Sequence, residues 1–291
     1  MIIAIASGKG GTGKTTVAAS LVQVWNRPVT AVDLDVEAPN LHLFLKPVVQ
    51  GREAALLEVP VIEASNCTGC GDCAEICQFK AITLLGNLPL VFHDMCHGCG
   101  GCLAVCAEGA LLSGSRELGE VSWGAAGDAD FLAGRLRIGE AQTPPLMRAV
   151  RQRLSRMLAR HGGDAIIDAP PGTSCPAMNA VADADVIVLV TEPTPFGLHD
   201  LKLVREAFEP LEKPMGVVIN RAGLGFGAVA DYCRATGMPI LAEIPYRREL
   251  AEAYARGRVL ADADLGQRHR FAGLAEAIDA LAMPMGTACH A

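Results

Sequence analysis

The sequence lacks three features that would place it among membrane, secreted or nucleic-acid-binding proteins. No apolar run approaches the roughly 18 residues of a membrane-spanning helix. The apolar N-terminal stretch, about six residues, is shorter than the core of a secretory signal. The formal net charge of the 291-residue chain is −7, which argues against a polybasic surface. These absences predict a cytoplasmic protein without stable membrane insertion and without a nucleic-acid partner.

Aromatic residues are also scarce, at 4% of the chain, whereas apolar residues make up 51% and charged residues 20%. The last two values are ordinary for a globular protein. Cysteine is abundant, with eleven residues. Because we expect a cytoplasmic protein, these cysteines are predicted to serve as metal or redox ligands rather than as disulfides.

A glycine-rich segment follows the first apolar run and precedes a predicted helix from Lys14 to Trp25. Residues 8–15 fit the pattern G-x-x-x-x-G-K-[ST], in which backbone N–H groups and the positive end of a helix bind phosphate. Lys14 is expected to reach the β- and γ-phosphates, and the Thr15 hydroxyl to bind Mg²⁺. The predicted nucleotide contacts are Gly8, Lys9, Gly10, Gly11, Thr12, Gly13, Lys14, Thr15 and Thr16. The pattern predicts ATP binding.

Two further predicted strands end in aspartates. One, over residues 28–35, ends in Asp33 and Asp35, and the other, over 163–168, ends in Asp168 before the sequence A-P-P-G-T. Aspartates at strand ends also serve as caps and turn residues, so that alternative stays open at Asp33 and Asp35.

Together these segments resemble the MinD/ParA/Mrp superfamily of P-loop ATPases. The lysine at position 9, directly after the first glycine, is similar to the extra lysine of the deviant Walker A motif. Residues 33–40 resemble the switch I segment, and residues 168–173 resemble Walker B with switch II. The resemblance implies an ATPase that forms a homodimer, or a heterodimer with a related ATPase, on binding ATP.

The same resemblance implies roles for individual residues. Asp35 would position or deprotonate the attacking water, so that Lys9, Lys14 and Asp35 form the catalytic set. Asp33 and Asp168 would support Mg²⁺ together with Thr15. Lys9 would cross the dimer interface to the partner's nucleotide, and the Gly172 N–H would sense the γ-phosphate.

Three other positions are identified through related proteins. Asn220 and Pro245 match positions that contact the adenine edge and pack on its ring, although a strand-end cap is the alternative for Asn220. Cys175 lies seven residues after Asp168, near the position of a cluster ligand in the nitrogenase iron protein. A small buried hydrophobic residue is the default interpretation of a lone cysteine.

The middle of the chain contains two copies of the spacing C-x₂-C-x₂-C-x₃-C, offset by 29 residues. This spacing is typical of two-cluster bacterial ferredoxins, in which the fourth cysteine of each run ligates the other cluster. We therefore predict two [4Fe–4S] clusters. The Cys67 set comprises Cys67, Cys70, Cys73 and Cys106, and the Cys96 set comprises Cys77, Cys96, Cys99 and Cys102.

One departure from the ferredoxin pattern is the absence of proline after the fourth cysteine of each run, where Gln78 and Ala107 stand. Structural zinc sites are a rival interpretation, although four cysteines in each compact run are unusual for them. Clusters with a purely structural role are also compatible with the spacing.

Strands alternating with helices predict a doubly wound, mostly parallel α/β sheet. Residues 1–60 and 113–291 are assigned to a MinD-like P-loop ATPase domain, and residues 61–112 to an inserted α+β two-cluster ferredoxin domain. Residues 134–139 are predicted to form a short strand, and residues 144–161 an arginine-rich amphipathic helix. Cys289 and His290 are expected to belong to a disordered tail.

Three functions fit this combination. The first is an ATP-driven redox switch that gates electron transfer, or the docking of a redox protein, through the clusters. The second is a carrier that loads clusters onto apo-proteins, and the third is a positioning ATPase with the ferredoxin unit as an interaction module. Eight ligands in a tight pattern favour the first over the second.

Replacing Cys77 by serine tests the cross-ligation directly. Protein purified anaerobically should hold about eight irons when both clusters are full. Cys77→Ser should lose iron from the Cys96 set and leave the Cys67 set largely intact, as measured by iron analysis and EPR. Iron near zero with stoichiometric zinc would contradict the cluster assignment.

Overall fold

The structure, a computed structural model, describes residues 1–223 and 225–283. The predicted tail residues Cys289 and His290 lie outside these ranges. The strands are β1 (Ile2–Ala6), β2 (Val29–Asp33), β3 (Val48–Ile62), β4 (Ile82–Leu85), β5 (Leu88–Val91), β6 (Leu111–Ala126), β7 (Ala129–Leu136), β8 (Asp164–Asp168), β9 (Val186–Thr191), β10 (Met215–Ala222) and β11 (Ile240–Pro245).

The helices that pack around these strands agree with the predicted ones where predictions were made. They are α1 (Lys14–Val24), α2 (Leu41–Leu45), α3 (Asp72–Ile76), α4 (Gly101–Val105), α5 (Thr143–His161), α6 (Cys175–Val181), α7 (Pro195–Phe208), α8 (Ala228–Ala235), α9 (Arg248–Ala255) and α10 (Leu265–Ala282). Within the described residues, none of them is both long and apolar enough to cross a bilayer.

Nine of the strands form one sheet in the order β11-β10-β9-β1-β8-β2-β7-β6-β3. The pairs from β11 to β7 are all parallel, which confirms the predicted mostly parallel α/β fold. Successive side chains of a strand point to opposite faces, so β1 contributes Ala4 to one core and Ile3 and Ile5 to the other. Both faces are covered by helices, as parallel sheets require.

The sheet continues beyond β2 into a long antiparallel ribbon. Strands β3 and β6 pair from Val48 opposite Ala125 to Ile62 opposite Leu111, and β6 also pairs with β7. Sequence analysis predicted a short strand over residues 134–139, whereas β7 begins at Ala129 and ends at Leu136. The cysteine-rich residues 63–110, here called the tip, lie at the far end of this ribbon together with the β4–β5 hairpin.

Helix α5 fastens the ribbon to the body of the sheet. The Arg153 guanidinium lies 3.1 Å above the Trp123 ring of β6 and 3.4 Å from the carboxylate of Glu53 on β3. Arg151, on the same helix, forms an ion pair with Asp183. Part of the arginine-rich face is therefore used to hold the ribbon, because a guanidinium can stack on an aromatic ring while it pairs with a carboxylate.

Candidate functional site

The glycine-rich loop leads from the end of β1 into α1. Gly11 and Gly13 adopt φ values of +80° and +100°, which favour glycine. A Cβ added at Gly10 or Gly11 would meet no atom within 4 Å, so this side of the loop is open to a ligand. The Thr12 hydroxyl is buried and has no hydrogen-bond partner among the described residues. These features form a concave loop whose backbone can approach a phosphate closely.

Three aspartates and Lys14 converge beside this loop. Asp33 and Asp168 are paired residues at the ends of the adjacent parallel strands β2 and β8, and both are buried. Burial raises the pKa of Asp168 to about 7, although the Thr15 hydroxyl and the Lys14 ammonium oppose the shift. Burial also raises the pKa of Asp33 and of half-buried Asp35. The cluster is therefore short of positive charge.

The buried Lys14 responds in the opposite direction. Burial lowers the pKa of its ammonium group, whereas the carboxylates of Asp168 and Asp35 counteract the shift. One oxygen of Asp168 is buried without a hydrogen-bond partner in the described structure. Buried carboxylate oxygens of this kind are the ligands that Mg²⁺ prefers.

Asp33 already holds the loop that follows it. One carboxylate oxygen accepts the Asp35 N–H at 3.2 Å, and the other accepts the Leu41 N–H at 2.9 Å. The turn-forming role considered as an alternative for Asp33 is thus present in this conformation. A cation bound at Asp33 would compete with these two backbone bonds.

The other expected nucleotide contacts surround the loop. The Gly172 N–H donates to the Ser7 carbonyl at 2.9 Å, so it would need to leave that bond to reach a phosphate. The Asn220 side-chain amide donates to the Thr12 carbonyl at 2.8 Å, which ties β10 to the loop. Pro245 ends the neighbouring strand β11, where it pairs with Ala222.

Lys9 contacts two carboxylates that the sequence analysis missed. Its Nζ lies 4.0 Å from Glu192 and 3.9 Å from Asp200, while Arg221 binds Glu192 at 2.6 Å. Glu192 directly follows β9, so the rule that identified Asp33 and Asp168, an acid at the end of a buried parallel strand, could also have found it. In this conformation Lys9 remains within its own subunit.

The tip encloses two cavities, and each is lined by one predicted cysteine set. The cavity of the Cys96 set measures about 30 Å³, and that of the Cys67 set about 210 Å³. Each cavity therefore contains three cysteines from one repeat and the fourth from the other. Cys73 and Cys102, at equivalent places in α3 and α4, are buried, and burial raises the pKa of both thiols.

Local backbone geometry supports the Cys96 set. The Gly98 N–H donates to the Cys96 sulfur at 3.4 Å, and the Ala81 N–H donates to the Cys77 sulfur at 3.3 Å. The Phe79 and His97 rings, which also line this cavity, stack at 3.6 Å with an interplanar angle of 8°.

The two cavities do not resemble a site for one ion. Within residues 1–223 and 225–283, no three His, Cys, Asp or Glu side chains lie close enough together to hold a single metal ion, and this holds for Asp33, Asp35 and Asp168 as well as for the cysteines. Cys175 lies apart from both cysteine sets, as the exposed first residue of α6.

Comparison with known sequences extends the likeness to almost the whole chain. Residues 3–260 match the CobQ/CobB/MinD/ParA nucleotide binding domain. An uncharacterized protein of Methanocaldococcus jannaschii is 34% identical over 230 residues, which cover 77% of this chain and 79% of that protein. An iron-sulfur cluster carrier protein of Aquifex aeolicus is 25% identical over 274 residues, which cover 88% of this chain and 60% of that protein.

Among solved structures, the chain is similar to the septum site-determining protein MinD of Pyrococcus horikoshii, complexed with Mg-ADP. The TM-score is 0.58 at 22% identity, over 97% of this chain and 96% of that chain. This likeness concerns the fold.

The raised pKa of Asp168 predicts how stability depends on pH. The carboxyl group of Asp168 binds its proton more tightly in the folded state than in the unfolded state. The free energy of unfolding should therefore fall as the pH rises from about 4 to 7, by up to roughly 1.4 kcal/mol per pH unit. Asp33 contributes with the same sign. Urea unfolding of nucleotide-free protein should therefore show a flatter pH profile for Asp168→Asn. Asp128→Asn, at an exposed turn, should keep the wild-type profile; an equally steep profile in Asp168→Asn would contradict the assignment.

Proposed function

Because the chain belongs to the CobQ/CobB/MinD/ParA nucleotide-binding domain family, we propose that it is a Mg²⁺-dependent ATPase that dimerises on binding nucleotide. It couples hydrolysis to electron transfer, or to redox-dependent docking of a partner, through two [4Fe–4S] clusters. The observation that carries this proposal is the presence, in one chain, of an open phosphate loop and two cavities lined by four cysteines each.

The acidic cluster supports the hydrolytic half. Thr15, Asp33 and Asp168 would hold Mg²⁺, which when bound supplies positive charge to the β- and γ-phosphates. Water attacks the γ-phosphorus while the bond from that phosphorus to the bridging oxygen breaks, which yields ADP, phosphate and a proton. Asp35 accepts the proton of the water, and its raised pKa suits that role. Lys14 stabilises the charge that develops on the phosphate oxygens.

Lys9 supports a dimer as the hydrolytic state. Its contacts with Glu192 and Asp200 are about 4 Å long, and a third of its side chain is exposed. Contacts of this length are weaker than charge-assisted hydrogen bonds, in which the nitrogen and oxygen are about 2.8 Å apart. Lys9 can therefore leave them to reach a partner's nucleotide, where a cation would stabilise the transition state.

The chemistry of the cysteine cavities supports the redox half. The Cys67 and Cys96 sets would each hold one cluster, which when bound would supply a one-electron redox centre between a donor protein and an acceptor. Soft thiolates are the ligands that iron–sulfur clusters take, one to each iron of a [4Fe–4S] cluster. The N–H groups of Gly98 and Ala81 stabilise ligand sulfurs and tune the potential. A single zinc ion would instead need all four sulfurs at about 2.3 Å.

Two alternatives share parts of this structure. Similarity to the cluster carrier of Aquifex aeolicus favours cluster delivery to an apo-protein. The tight spacing of four cysteines for each cluster favours retention, whereas the exposed Cys70 and Cys99 would give an acceptor access to each set. A cell-positioning ATPase, with the tip as an interaction module, is supported by the likeness to MinD in fold.

Substitution of the two lysines separates binding from catalysis. Lys14→Ala should abolish ATP binding, because Lys14 begins α1 directly after the phosphate loop and is the buried cation near Asp168 and Asp35. Lys9→Ala should keep much of the binding but lose ATP-induced dimerisation, with hydrolysis slowed by on the order of 10³-fold or more. Equilibrium binding, light scattering and phosphate release measure these effects. Normal dimerisation and hydrolysis in Lys9→Ala would refute the intersubunit role.

Coupling between nucleotide and clusters is tested by titrating ATP against oxidised and dithionite-reduced protein, with Asp35→Ala to prevent turnover. Linkage requires that if ATP shifts a cluster potential, reduction shifts ATP affinity by the same free energy. A tenfold change in affinity corresponds to about 1.4 kcal/mol, or 59 mV for one electron. Equal affinities, together with unchanged EPR spectra, would leave the tip as a docking module or a structural insert.

A further inference from the structure

The two cysteine cavities occupy different positions relative to the ribbon. Cys96 packs against a small core formed by Leu57, Val59 and Leu118. An added Cβ at Gly98 would lie 2.5 Å from a methyl carbon of Leu57, so the backbone of the Cys96 set rests directly on β3. This cavity therefore borders the strands that run back to the main sheet.

The Cys67 set lies at the outer end of the ribbon. Its cavity is bounded by Leu84 and Pro89 of the β4–β5 hairpin and by Ile62 and Leu111 at the outer ends of the ribbon. This set is joined to the ribbon through the chain, since Cys67 follows β3 and Cys106 precedes β6 by five residues each, and through a second small core in which Cys73 packs with Leu111. The covalent connections thus lead to the Cys67 set, which packs at the outer end of the ribbon, while the contact with Leu57, Val59 and Leu118 is made by the Cys96 set.

From the nucleotide side, residues 35–41 reach the same ribbon core. The Leu136 N–H, at the end of β7, donates to the Val36 carbonyl at 2.9 Å. The next residue, Arg137, donates its N–H to the Leu118 carbonyl at 2.9 Å. Leu118 is fully buried and packs with Leu57 and Val59 beside Cys96. Two backbone hydrogen bonds and the packed side chain of Leu118 therefore join residues 35–41 to Cys96.

This connection is held tightly where it leaves the nucleotide side and again along β6. A Cβ added at Gly134 would lie 2.8 Å from a methyl carbon of Val36, so residues 35–41 fit tightly against β7. A buried ion pair between Arg116 and Glu140 holds β6 against the turn that leads into α5. Close-packed contacts of this kind transmit a displacement instead of absorbing it.

Binding of a divalent cation would change the hydrogen bonds that hold residues 35–41. Both carboxylate oxygens of Asp33 are used by the N–H groups of Asp35 and Leu41. A divalent cation that arrives with a nucleotide would draw on the same oxygens and weaken one or both of these bonds. Binding at the phosphate loop therefore biases residues 35–41, which lie one hydrogen bond from β7.

We propose that the Cys96 set is the nucleotide-responsive one, and that Leu118 is the positioning residue that joins it to residues 35–41. The Cys67 set lies further along this path, since its Cys73 shares a second small core with Cys102 of the Cys96 set, and it should therefore respond less. The inference rests on the proposed function, because it assumes that both cavities bind clusters and that the loop binds Mg-ATP. It reverses the expectation from chain connectivity alone, in which the Cys67 set would respond first.

Hydrogen–deuterium exchange of iron-loaded protein measures the response without reference to activity. Peptides spanning residues 94–105 and 66–77 should be compared with and without Mg²⁺ and the β,γ-imido analogue of ATP. Amide exchange in 94–105 should change by about tenfold, with little change in 66–77. A response confined to 66–77, equal responses in both peptides, or no response in either would overturn the proposal.

Leucine substitutions test the connection itself. Leu118→Ala should remove the change in 94–105 while ATP binding remains, whereas Leu84→Ala, which alters the other cavity, should preserve it. Leu118→Val, which keeps most of the packing, covers the case in which the alanine variant fails to fold, and should weaken the response. A wild-type response in a folded Leu118 variant would refute the role of Leu118.

A redox readout checks which cluster responds. Cys70→Ser and Cys99→Ser are matched variants, since both cysteines are exposed and occupy equivalent places in the two repeats. The ATP analogue should shift the midpoint potential of the cluster left in Cys70→Ser more than that of the cluster left in Cys99→Ser; the reverse pattern would contradict the proposal. Iron content and analogue binding are measured on the same samples. Loss of either property would count against the proposed function, and their presence without a response counts against this inference alone.

Discussion

The nucleotide site depends on the burial of like charges side by side. Asp33 and Asp168 end adjacent parallel strands and are both removed from water, with Lys14 buried among them. Buried carboxylates are costly unless they are paired with a positive charge. Lys14 alone cannot balance the charges of Asp33, Asp35 and Asp168. The protein meets part of this cost through raised carboxyl pKa values and through backbone donors to Asp33. What remains is a cluster of buried carboxyl groups beside the phosphate loop, with Lys14 as its buried cation.

The position of the ribbon protects this site. Strands β7, β6 and β3 are added beyond β2, so the strands that carry the phosphate loop and Asp168 remain adjacent at the centre of the sheet. An insertion between central strands would have separated Asp33 from Asp168. Because the added strands lie at one edge of the sheet, Asp33 and Asp168 remain adjacent. Strand β7 keeps the ribbon in contact with the loop after Asp33.

The parts that sequence could predict are those whose chemistry requires a local spacing. The phosphate loop, the strand-end aspartates and the two cysteine sets follow from such spacings, and the structure brings each group together. Strands β3 and β6 were not predicted as strands, because their half-exposed residues lack a long apolar run and Gly119 and Gly124 interrupt β6. Their pairing joins Val48 to Ala125, a separation that local periodicity does not reveal. The contacts of Lys9 with Glu192 and of Arg153 with Trp123 were missed for the same reason.

The exchange of fourth cysteines between the repeats has a consequence for how the tip is built. Each cavity takes three cysteines from one repeat and one from the other, so neither 29-residue copy could complete a cavity by itself. The two copies therefore depend on each other, because Cys106 of the second completes the cavity of the first and Cys77 of the first completes that of the second. A gene shortened by one copy would lose both four-cysteine cavities rather than one, and an ancestral single copy would have needed a second molecule to close each cavity.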